Sequence, residues 1–169
     1  MSSSRSDLAR FHSRFGWTSL ALFATLGIVL EGLHGLKVGW YLEQANETRR
    51  LMFTLAHAHG TLLSVVNLAF GALLFVTADD RRGSFASRCL LAGTTLMPAG
   101  FFLGGLYIYD GDPGLGVMLV PIGAMCVVAA ATSCALAEWR PRTAEMKGDE
   151  TAALRPQKGD NFRTKRRKK

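Results

Sequence analysis

The chain has 169 residues, of which 49% are hydrophobic, and a formal net charge of +7. Nine Lys and Arg balance nine Asp and Glu through residue 139, whereas residues 140–169 hold eleven against four, so the basic excess lies entirely in the last thirty residues. A basic nucleic-acid-binding fold is therefore not indicated, and three cysteines (Cys89, Cys126 and Cys134) without a CxxC pair make neither a disulfide framework nor a zinc knuckle.

The segment 6-SDLARFHSRF-15 sets Leu8, Phe11 and Phe15 at helical spacing, with Arg10 and Arg14 on another face. Residues 1–15 read as a short interfacial helix leading into a membrane. The first apolar run, 16–36, is broken only by Glu31 and His34 and lacks a small-x-small cleavage site, so it is expected to be a retained span. A loop with Trp40 and Tyr41 follows, then the triplet Asn46-Glu47-Thr48, read as a helix cap. The second run, 51–76, contains no Lys, Arg, Asp or Glu. The third, 89–109, holds 97-MPAGFFLGG-105, in which Gly100 and Gly104 form a GxxxG suited to close helix packing. The sequence 110-DGDPG-114 is turn chemistry, and the fourth run covers 116–136. Pro98 and Pro121 are both expected to kink their helices. Each run matches the ~20 residues that cross a bilayer. The expected fold is an all-α, four-helix antiparallel transmembrane bundle over 16–139, followed by a disordered basic tail over 140–169.

Charge sets the expected orientation. The N-terminal segment, the loop with Arg81, Arg82 and Arg88, and the tail carry seventeen basic residues, against three (Lys37, Arg49 and Arg50) in the remaining loops. Both termini should then be cytoplasmic, in a bacterial inner membrane. Trp40, Tyr41, Tyr107 and Tyr109 would form an aromatic belt at the outer interface. The six cations of 163-RTKRRKK-169 suit anionic lipid, with no specific nucleic acid implied.

The polar residues inside the runs hold the functional information. At ~1.5 Å per residue, His34 and Glu31 lie about 5 and 9 Å inward from Lys37, and His57 and His59 about 10 and 13 Å inward from Arg50. All four fall in the outer half, where an ionisable side chain is costly. On a helix His57 and His59 point about 200° apart. His57 shares its face with Thr54, Gly60, Thr61, Ser64, Asn67 and Gly71, a small and polar stripe that should meet other helices, while His59 is either directed at a third helix or a second, separate ligand. Glu31, His34 and His57 form the expected constellation. Four readings follow, one of them a proton or ion path that depends on Glu31. Two imidazoles among His34, His57 and His59 can ligate haem b. Alternatively, Glu31, His34 and His57 can hold a transition metal. Or the set is a structural Glu–His pair without a cofactor, in an accessory or assembly subunit that packs against other membrane subunits or copies of itself.

The stretch 57-HAHG-60 on a second span resembles the helix of haem-copper oxidase subunit I that carries a haem-ligating His before Gly, and His59 is the matching position. In size the chain is similar to small four-span bacterial membrane proteins of unassigned function. The first resemblance implies haem and electron transfer. No glycine-rich nucleotide loop or nucleophile elbow is present, and no Ser/His/Asp set stands out in the sequence.

Overall fold

The computed structural model describes residues 2–43, 47–76 and 80–139. Asn46 of the cap triplet and the tail over 140–169 lie outside them. The chain divides into Met1–Glu138 and Trp139–Lys169, and of the second unit only Trp139 is described. Among its described residues the first unit is mostly helical, with one small hairpin. Helix α1 covers Ser2–Gly35, the single turn α2 Gly39–Leu42, α3 Glu47–Val76, α4 Asp80–Leu106 and α5 Leu119–Glu138. Helices α1, α3 and α4, together with α5 and the 3-10 turn Leu115–Met118 before it, are each long and apolar enough to cross a membrane.

Successive long helices pack antiparallel. Gly27 of α1 meets His57 of α3, Gly16 meets Leu68, and Ala9 meets Gly71. Phe53 of α3 stacks near Phe102 of α4 at 5.2 Å, while Asn67 bonds Thr94. On the far side of α4, Gly93, Gly100 and Gly104 meet Val127, Val120 and Val117. The extensive contacts are thus α1 with α3, α3 with α4, and α4 with α5, with α1 and α5 as outer members. The GxxxG of α4 faces α5, where a Cβ on Gly100 would come within 2.9 Å of Val120 Cγ2. Small residues let these backbones approach, as helices in lipid require.

Two apolar clusters close the ends. Ala9, Phe70, Leu74, Ala86, Leu90 and Ala130 form one. Leu30, Tyr41 and Phe53 form the other, with Leu33, Val38 and Phe102 against it. Tyr41 is therefore not a belt residue: it is 4% exposed and turned into the core, whereas Trp40 stays outside.

Three further features differ from the sequence reading. The segment over 6–15 is not a separate element but the first part of a 34-residue helix whose Ala9 and His12 are buried. The third helix ends at Leu106, because Ile108–Tyr109 pairs with Asp112–Pro113 in a two-stranded hairpin. Asp110 (φ 49°) and Gly111 (φ 90°) make its two-residue turn, the doubly left-handed geometry that matches strand twist. Pro121 falls in the first turn of α5, where its missing N–H has no intrahelical partner to lose, whereas Pro98 is interior and fully buried.

The loops at the hairpin end are held by named bonds. Helix α1 stops in a Schellman motif: Val38 N–H donates to Leu33 O (3.1 Å), Lys37 N–H to His34 O (3.1 Å), and Lys37 takes φ 53°. Arg50 Nη1 donates to Leu42 O at 2.7 Å and so caps α2. Arg49 donates to Gly105 O (3.2 Å) and Trp40 O (3.3 Å) and lies 4.5 Å over the Trp40 ring.

The seams make a prediction. A Cβ on Gly123 would lie 2.6 Å from the Met97 backbone nitrogen, whereas Gly32 has nothing within 4 Å. Gly123→Val should lower stability by ~1–3 kcal/mol, read from unfolding of the detergent-solubilised protein. Gly32→Ala should leave it unchanged or slightly raised.

Candidate functional site

The largest polar assembly lies at the α1 N-terminal end and centres on a histidine that sequence reasoning passed over. His12 is 0% exposed. Its Nδ1 is 2.9 Å from Asn67 Oδ1 of α3, and its Nε2 is 2.7 Å from Ser87 Oγ of α4. Asn67 Nδ2 donates to Leu63 O at 2.9 Å and to Thr94 Oγ1 at 2.7 Å. Thr94 Oγ1 in turn donates to Leu90 O at 2.8 Å. Both amide hydrogens of Asn67 are committed, so its oxygen accepts, His12 Nδ1 carries the proton, and the Ser87 hydroxyl donates to Nε2. An uncharged ring therefore satisfies every partner.

Local sequence explains the placement. Gly71 leaves room for α1, since a Cβ there would lie 3.2 Å from Ala9 O and 3.3 Å from His12 Cβ. Phe70 closes the other side of the imidazole, with ring centroids 4.8 Å apart. The order Ser87, His12, Asn67 is that of a nucleophile, a base and an orienting group. Acyl transfer also needs oxyanion donors and access to the hydroxyl. Ser87 is 2% exposed and lies within α4, where backbone N–H groups are engaged in the helix. The geometry supports a three-helix clasp rather than a hydrolytic centre. The signal in the sequence was the spacing Ala9, His12, Gly16, Ser19, a stripe of small and polar residues at i+3 and i+4 steps.

The same seam continues upward. Ser64 Oγ is 2.7 Å from Ser19 Oγ, with Ser64 also bonded to Gly60 O and Ser19 to Phe15 O. Above it His57 Nδ1 donates to Phe23 O at 2.8 Å, and its ring fills the space over Gly27. His57 thus faces α1 through a backbone carbonyl and not through Glu31. His59 points the other way: Nδ1 donates to Leu55 O at 2.9 Å, and the ring stacks on Phe101 of α4 at 5.0 Å.

Glu31 and His34 are exposed on α1, and neither makes a hydrogen bond or ion pair among the described residues. Among the described residues no group of three or more His, Cys, Asp or Glu is placed to hold a metal ion. The set Glu31, His34 and His57 is therefore not assembled, because Phe23 O takes the His57 proton and the other two side chains face outward. His57 and His59, directed at α1 and α4, do not converge on one haem. Each nevertheless donates Nδ1–H to a carbonyl, which leaves an Nε2 lone pair. Thr61 Oγ1 is buried without a partner.

No protein-family model, curated protein or solved structure matches this chain.

The clasp predicts coupling. Asn67→Ala strands the His12 proton and should cost ~1–3 kcal/mol. A double-mutant cycle of His12→Ala with Asn67→Ala should return ~0.5–2 kcal/mol of interaction energy, measured by reversible unfolding in mixed micelles. Zero coupling would separate the two residues energetically.

Proposed function

We propose that this chain is a non-catalytic, multi-pass membrane subunit with an accessory or assembly role, its termini on the cytoplasmic side of a bacterial inner membrane. One observation carries the reading. The buried polar side chains His12, Ser19, Ser64, Asn67, Ser87 and Thr94 are used to join helices of the chain to one another, while an outer helix leaves Glu31 and His34 exposed and, among the described residues, unpaired. A carboxylate in the apolar belt is costly unless another protein group meets it. The interior supports packing, and the free polar edge supports assembly. The orientation rests on the seventeen-to-three division of basic residues.

A second reading has its own support. Ligand histidines commonly donate their second nitrogen to a carbonyl, as His57 and His59 do at 2.8 and 2.9 Å. Haem b held through Nε2 of one of them would supply electron-transfer chemistry.

The test is purification from native membranes under mild detergent, followed by reduced-minus-oxidised absorption and elemental analysis. The subunit reading expects a particle larger than the single chain, no haem bands and no stoichiometric metal. It also expects His57→Ala to lower the unfolding midpoint. Haem or metal at one per chain, lost in His57→Ala or His59→Ala, would replace it with the second reading.

A further inference from the structure

The unpaired edge has a definite composition and a definite place. Glu31 is one helical turn beyond Gly27, and Gly27 is the residue on which the His57 ring sits. Thr54 is one turn from His57 in the opposite sequence direction. Because α1 and α3 are antiparallel, Glu31 and Thr54 lie at the same level. The other flank of this seam is covered: Leu30 and Phe53 pack there with Phe102 of α4. Ala24, Glu31, Thr54 and Ala58 are all exposed, so they belong to the open flank. That flank holds an acceptor on α1, a hydroxyl donor on α3, and small residues around them. Among the described residues Glu31 and Thr54 make no hydrogen bond.

We infer that this open α1–α3 flank binds a second copy of the chain. Copies inserted the same way round can be related by a twofold only if its axis runs along the membrane normal. Such an axis sets α1 of each copy against α3 of the other, antiparallel, as within each chain. Glu31 then meets Thr54 of the second copy at its own depth, and the reverse contact forms by symmetry. The patch is self-complementary in the way a twofold interface requires: each acceptor finds a donor, twice. Ala24 and Ala58 allow the close approach that helix pairs in lipid need. His34, one turn from Glu31 toward the loop, is a further donor in the same contact. The assembly buries both carboxyls without any other protein. This deepens the subunit reading, because it names the chain itself as the first partner.

The test uses full-length purified protein alone in phosphatidylcholine–phosphatidylglycerol vesicles, with donor and acceptor dyes at one surface position. Energy transfer is followed as protein density is diluted. Wild type should show a density-dependent dimer. Glu31→Ala should weaken it about tenfold, and Ala58→Phe should abolish it by blocking the approach. Met125→Ala, on the outward surface of α5, should change nothing. Unfolding midpoints close to wild type for Glu31→Ala and Ala58→Phe would confirm intact folding, as expected for exposed positions. A monomer at every density would overturn the proposal, as would a dimer indifferent to both variants. If the chain is monomeric in vesicles yet part of a larger particle in native membranes, self-association fails while the subunit reading stands.

Discussion

A polar side chain buried away from water must find its partners within the protein, and here that constraint falls on Asn67. Its amide has two donors and an acceptor, and each finds a partner: Leu63 O, Thr94 Oγ1 and the His12 ring. Those partners belong to α3, α4 and α1. One side chain therefore fixes the relative position of three helices, with Ser87 closing the remaining nitrogen of the imidazole. Gly71 lets the backbone of α1 come close, since a Cβ there would lie 3.2 Å from Ala9 O and α1 would have to give by a few tenths of an ångström. The Ser19–Ser64 and His57–Phe23 bonds then follow along the same seam toward the loops. The α4–α5 seam is built on small residues instead, with Gly93, Gly100, Gly104 and Gly123 against valine and backbone.

The two ends of the unit are secured differently. At the α1 N-terminal end the ties are buried side-chain bonds between helices. At the hairpin end they are bonds from arginine to loop carbonyls: Arg50 caps α2, and Arg49 reaches both Gly105 and Trp40. Thr48 adds a bond to Gly111 at 2.6 Å, so the start of α3 anchors the hairpin as well. On the α1–α3 flank near the loops, Glu31 and Thr54 stay exposed and without a hydrogen bond among the described residues.

Much of this was legible in the sequence, and the remainder failed for identifiable reasons. Run lengths gave the four long helices and 110-DGDPG-114 the turn between α4 and α5, though not the strand pair around that turn. The 100° step per residue separated His57 from His59 correctly, and in the stripe read as helix-facing Gly60, Ser64, Asn67 and Gly71 are buried, Thr61 is half-buried and Thr54 is exposed. Three things were hidden. His12 sits among Arg5, Asp7, Arg10 and Arg14, so its segment reads as interfacial; its burial depends on Ser87, 75 residues away. Tyr41 looked like a belt aromatic beside Trp40, but the one-turn helix α2 rotates it into the core. For His57, depth alone made Glu31 a plausible partner. The carbonyl of Phe23 was the competitor, and backbone acceptors carry no mark in a sequence.

The central claim is that His12 is an uncharged structural link whose tautomer is dictated by Asn67. Nitrogen-15 NMR of histidine-labelled protein in bilayers, with His12 assigned by its substitution, tests it directly. The account predicts a neutral ring protonated at Nδ1, with both nitrogens hydrogen-bonded and protected from solvent exchange. A ring protonated at Nε2, or one exchanging freely with water, would contradict the clasp and the helix arrangement that depends on it.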